Sequence, residues 1–198
     1  MKNRTNNPIW IILPIVLFVL FSCATTGQKE GESKSPKFYN NRGITFVEKG
    51  QYDEAISDFN KAIEINSKYD KAYNNRGITY RLKGQYDRAI SDFNKAIEIN
   101  PTDAQAYNNL AWLLATAGVP GFRNGEKAVV LARKACELSQ WKNPGYLDTL
   151  AASYARVGDF RSATQWQEKA LQLFDESKKT EAQRRLSFYR EHRPWPSD

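Results

Sequence analysis

The sequence predicts an all-α protein, an α-solenoid of stacked helical hairpins, and three observations carry that reading. Residues Tyr39 to Asn66 and Tyr73 to Asn100 match at 24 of 28 positions at an offset of 34 residues, and self-similarity at such a period marks a repeat architecture. Within the first copy Tyr39, Gly43 and Phe46, then Ala55, Phe59 and Ala62, fall at i, i+4, i+7, the spacing of one apolar stripe on an amphipathic helix. Between the stripes stands Gly50-Gln51-Tyr52-Asp53, where glycine permits a tight turn and Asp53 is placed to cap the incoming helix.

Composition narrows the function classes before any motif is read. Of 198 residues 41% are hydrophobic and 26% charged, the balance of a folded chain. Two cysteines build no disulfide scaffold. The single histidine, His192, removes most zinc sites and most histidine-based acid/base chemistry.

From the N-terminus, Lys2 and Arg4 precede an apolar run from Pro8 to Phe21, shorter than the ~20 residues a spanning helix needs but of the form of an export signal. Leu20-Phe21-Ser22-Cys23 resembles the bacterial lipobox, which implies cleavage before Cys23 and its acylation. Residues 1–22 are therefore expected to be a lipoprotein signal peptide. With Cys23 first, 176 residues and a net charge of +5 rather than +7 remain. Residues 23–35 lack any large apolar side chain after the cysteine and read as a flexible tether, reaching roughly 20 Å. Alanine rather than aspartate after the cysteine implies the outer membrane, facing the periplasm.

The repeats occupy about 36–69, 70–103, 104–143 and 144–177 of a domain spanning 36–193. Gly43 and Ala55 allow close helix approach while Phe46 and Phe59 fill the space left, and hairpins of this kind bury both faces only by stacking. The third copy starts at Tyr107-Asn108-Asn109-Leu110-Ala111, yet Ala128 follows Gly118 by ten residues where earlier copies use five. Val119 to Gly125 thus reads as an enlarged interhelix loop. Ala128, Ala132 and Ala135 replace Ala-Phe-Ala in the following helix, which predicts thinner packing there. The fourth copy places Gln167 in the aromatic slot with Trp166 beside it. Ala182, Leu186 and Tyr189 give a last stripe on a capping helix at about 178–192, ended by Pro194 in the tail 194–198.

Gly77, Gly84, Tyr86, Ala89, Phe93, Ala96 and Pro101 resemble the signature of the tetratricopeptide repeat family. The resemblance covers roughly Pro36 to Arg193 and implies a protein-interaction scaffold whose first helices line a concave groove. Here that face carries Asn40, Asn41 and Ile44, then Asn74, Asn75 and Ile78, then Asn108, Asn109 and Trp112. The asparagine pairs have two readings: a donor/acceptor ladder for an extended peptide, or internal support of the hairpins. Family members that clamp a C-terminal carboxylate use lysine, arginine and asparagine. The corresponding slots, Asn40, Ile44, Asn75, Gln105 and Asn109, provide no cationic clamp.

No constellation of catalytic residues, metal ligands or cofactor-binding motif emerges. The glycines recur by repeat spacing and stand in no phosphate loop. Asp58 and Asp92 occupy equivalent slots and are expected on solvated helix faces. Cys136 reads as a small buried hydrophobe. The expected function is a non-enzymatic, lipid-anchored adaptor of a bacterial envelope, binding a protein or peptide in its groove and the membrane through Cys23, with no nucleic-acid partner. The alternative is a module binding a small ligand or wall glycan in the same groove, with Trp112 as a stacking platform.

Overall fold

The computed structural model describes residues 35–195; the expected signal peptide, Cys23 and most of the tether lie outside the described residues. Four hairpins follow one another: α1 (Pro36–Glu48) with α2 (Tyr52–Ile65), α3 (Asp70–Leu82) with α4 (Tyr86–Ile99), α5 (Ala104–Thr116) with α6 (Gly125–Leu138), and α7 (Pro144–Arg156) with α8 (Phe160–Leu173). A ninth helix, α9 (Glu176–Arg190), packs on α8. The fold is an all-α solenoid. Each second helix packs on the next first helix, and first helices also touch one another from α1 to α3, α5 and α7. First helices therefore line the inner side of the curve and second helices the outer side.

The hairpin crossing is fixed by glycine against phenylalanine. Gly43 and Gly77 are buried, and a Cβ on them would lie 2.6 Å from Phe59 Cε1 and 2.8 Å from Phe93 Cε1. Both rings are fully buried, each worth about 2 kcal/mol of apolar transfer. Left-handed glycines then turn the chain, Gly50 at φ 72° and Gly84 at φ 70°.

A second link crosses each of the first two hairpins. Arg42 donates through Nε and Nη2 to the two carboxylate oxygens of Asp58, at 2.5 and 2.7 Å, and Arg76 does the same to Asp92 at 2.8 and 2.7 Å. Asp58 and Asp92 are buried, which corrects their expected place on solvated faces: a paired guanidinium lets a carboxylate leave water. In the third hairpin both partners become leucine. Leu110 and Leu131 take the equivalent positions and join the same apolar cluster. The packing expected to thin at α6 is thereby made up. Ala128, Ala132, Ala135 and Cys136 are fully buried beside it.

Asp53 does not cap α2, contrary to expectation. Gln51 is the N-cap and makes no side-chain capping bond, while Asp53 pairs with Lys83 at the end of α3. The carboxylate sits in the first turn of α2, where it still meets the positive end of the helix dipole. The enlarged loop is pinned at both ends. Arg123 donates to the carbonyls of Ala117 at 2.7 Å and Gly118 at 3.2 Å, and Asn124 caps α6 through Lys127 N at 2.9 Å.

Gly77→Leu should lower unfolding free energy by about 2 kcal/mol, because the added side chain must displace Phe93 or the α4 backbone. The denaturant midpoint measures this, and an unchanged midpoint would reject the glycine–phenylalanine crossing.

Candidate functional site

The asparagine pairs lie where α1, α3 and α5 meet, and their amides bond mainly across repeats. Asn75 Nδ2 donates to Asn40 Oδ1 at 2.9 Å, and Asn109 Nδ2 donates to Asn74 Oδ1 at 2.9 Å. Asn40 and Asn74 are only 4% and 3% exposed, so each of the first two repeat junctions is sealed by one amide-to-amide bond with a buried acceptor. This favours the internal-support reading for Asn40, Asn74, Asn75 and Asn109. Asn41, which meets no preceding repeat among the described residues, is exposed.

The ladder changes chemistry downstream. Thr149 of α7 stands where Asn75 and Asn109 stand, and its hydroxyl donates to Gly145 O at 3.1 Å within its own helix. The buried Asn108 Oδ1 has no hydrogen-bond partner among the described residues. One junction later the contact returns as an ion pair. Asp148 takes the place of Asn74, and Arg185 of α9 takes that of Asn75, with Nη1 donating to Oδ1 and Oδ2 of Asp148 at 3.0 and 2.9 Å. Gln167 Nε2 also donates to Asp148 Oδ1 at 2.7 Å and to Ala182 O at 3.2 Å. Burial pushes the Asp148 carboxyl above its usual range, against the pull of Arg185 and Gln167.

Arg185 also closes the groove. Its guanidinium lies 5.3 Å from the Trp112 ring centroid and 5.2 Å from that of Trp195, a doubled cation–π contact. Trp112 is half-buried beneath it. Sequence reasoning placed Trp112 on the groove but missed Arg185, Asp148 and Trp195. The signal was present: Arg185 follows Ala182 by three residues, as Asn75 follows Ala72 and Asn109 follows Ala106.

Upstream the groove is open. A depression of about 470 Å³ is lined by Lys37, Asn41, Ile44, Lys71, Asn75 and Gln105, among others. Ile44 is 38% exposed, and Ile78 and Asn108 are half-buried. Two carboxylates also border it. Asp70 accepts from Asn100 Nδ2 at 2.8 Å, and Asp103 caps α5 by accepting from Gln105 N at 3.0 Å. Lys37 and Lys71 have no ion pair among the described residues. The depression brings together an apolar contact, amides and two lysines, a mix that suits holding an extended segment.

For catalysis the chemistry is unpromising. Cys136 is fully buried and its thiol is pushed up to about 12 by that burial, so no thiolate forms near neutral pH. Asp58 and Asp92 are engaged by arginines. Among the described residues no three or more His, Cys, Asp or Glu gather as metal ligands.

Family models for the tetratricopeptide repeat match residues 70–103, 93–127 and 145–174, and a TPR repeat model matches 43–82. The chain belongs to the tetratricopeptide repeat family. Among solved structures, MamA is similar at 21% identity with a TM-score of 0.60, over 76% of this chain and 83% of that one. MamA from Desulfovibrio magneticus RS-1 is similar at 18% identity with a TM-score of 0.64, over 79% of this chain and 84% of that one. These likenesses are of fold. No curated protein sequence matches the chain.

Replacing Asn75 and Asn109 together by alanine should destabilise by about 1–3 kcal/mol per junction, since each leaves a buried amide oxygen without its donor. Thr149→Asn should act in the opposite sense by about 1 kcal/mol, by supplying a donor to Asn108 Oδ1. Denaturant midpoints of the two variants check both, and shifts of the same sign would reject the ladder.

Proposed function

We propose that this tetratricopeptide repeat protein is a lipid-anchored adaptor of the bacterial cell envelope, holding an extended segment of a protein partner in the groove of α1, α3 and α5. The observation that carries this reading is the groove itself. It is open at Ile44, Asn41, Lys37 and Lys71 and is closed at its far end by Arg185 over Trp112. A segment laid along it meets donors and acceptors at Asn41 and on the remaining valences of Asn75 and Asn109. Ile44 and Ile78 take apolar side chains. The lysines supply steering for a partner with acidic residues nearby. Catalysis is not part of this reading.

The sugar-binding alternative depended on Trp112 as a free stacking face. Arg185 covers that ring, and no second observation favours it. Anchoring rests on the lipobox-like Leu20-Phe21-Ser22-Cys23, and with it the assignment to the outer membrane facing the periplasm.

Photo-crosslinking from position 41 or 44 in the intact envelope should capture one polypeptide, and crosslinking from position 165 on the outer side of α8 should not. Ile44→Asp, at a position 38% exposed, should weaken that partner at least about tenfold, some 1.4 kcal/mol, while leaving the unfolding free energy within about 0.5 kcal/mol. Retained affinity would move the partner to another face. Separately, Cys23→Ser should release the chain from the outer-membrane fraction; an uncleaved variant still in the membrane would mean a signal anchor instead.

A further inference from the structure

The turn from α6 to α7 is one residue longer than that from α4 to α5, and its residues Gln140 and Trp141 both hold positive φ, 54° and 61°. Side-chain-bearing residues seldom adopt that conformation, and two in succession mark a constrained turn. The constraint lays the Trp141 indole on Trp166, with centroids 5.0 Å apart and planes inclined by 19°. Trp166 is half-buried in the core of the fourth hairpin, whereas Trp141 remains 37% exposed. The turn thus holds an aromatic ring out at the surface on a rigid backing.

The surroundings are apolar and cationic together. Lys169 Nζ stands 4.4 Å from the Trp166 centroid, and Lys142 follows Trp141 directly. Leu173, seven residues after Trp166 on α8, is 50% exposed, and Val130 on α6 is 68% exposed. The earlier repeats carry Ser57 and Ser91 in the Val130 position. Lys134 lies one turn beyond Val130 on the same face. Glu126, one turn before Val130, and Glu137 are the carboxylates of that face, and Glu168 is engaged by Arg190 at 2.8 Å. Over residues 104–195 fourteen Lys and Arg stand against nine Asp and Glu, while over 35–103 eleven stand against ten. The cationic excess therefore lies in the half of the solenoid that carries Trp141.

We propose that the outer face of α6 and α8, centred on Trp141, docks on an anionic lipid bilayer surface. The indole, Val130 and Leu173 enter the headgroup boundary, and Lys134, Lys142 and Lys169 meet lipid phosphates with their aliphatic stems laid on the same boundary. Apolar side chains interspersed with lysines suit a fluid anionic plane, where contact scales with apolar area plus charge. Docking through second helices leaves the groove of the first helices facing away from the lipid. The inference is independent of acylation at Cys23.

The test uses the full chain on vesicles of phosphatidylglycerol and phosphatidylcholine in equal parts, with brominated acyl chains. Trp141 emission, taken as the difference between wild type and Trp141→Phe, should fall below half its value on unbrominated vesicles. Lys142→Glu with Lys169→Glu should restore most of it at an unchanged unfolding midpoint. Equal emission on the two kinds of vesicle would overturn the proposal, as would quenching that the charge reversals leave untouched. A blue shift of Trp141 produced by soluble wall-glycan fragments without that quenching would overturn it in favour of a sugar site.

Discussion

Stacking of one hairpin on the next is the constraint on which every other feature of this molecule depends. A hairpin closed by Gly43 on Phe59 or Gly77 on Phe93 hides one side of each helix, but its remaining apolar side is covered only when a neighbour arrives. The polar side chains at those junctions are therefore obliged to match. Asn75 meets Asn40, Asn109 meets Asn74 and Arg185 meets Asp148, each pairing a donor on the incoming helix with an acceptor on the one before. A buried acceptor left alone is costly, so the junctions select register as well as adhesion.

The same contact explains why the groove is short. At the last junction the amide pair is replaced by an ion pair, and the longer arginine side chain reaches past Asp148 to lie between Trp112 and Trp195. Capping the array and ending its inner channel are thus one event. The outer side is under a looser restraint, since successive second helices touch one another little, and it is there that Val130 and Trp141 depart from the first two repeats.

The helices, the repeat period and the enlarged third turn were legible because each follows from spacing along the chain, whereas the groove position of Trp112 came from the family resemblance. Side-chain pairing across elements was not. Asp58 and Asp92 read as surface carboxylates because periodicity places a residue on a face without saying what covers it. The hint was that Arg42 and Arg76 precede them by sixteen residues in both copies, and that both members become leucine together in the third. Asp53 failed as a cap for a different reason. The helix begins two residues earlier than that cap would place it, at Tyr52 with Gln51 as N-cap, and the two-residue shift moves a carboxylate from capping a backbone N–H to facing the next repeat. The asparagines resisted assignment because an amide serves a neighbour and a ligand with the same atoms, and only the inter-repeat distance separates the two.

The near-identity of the first two hairpins makes array length a heritable variable. Asn40 presents to α3 what Asn74 presents to α5, and Phe59 and Ala62 match Phe93 and Ala96. Excising the 34 residues from 70 to 103 would bring Asn109 onto Asn40 with the same donor and acceptor. Duplicating them would insert another such step. Because the two copies are alike over most of their length, unequal recombination between them yields chains whose every seam is already compatible. A lineage carrying this sequence can therefore lengthen or shorten its inner channel in whole repeats, without first finding a new junction.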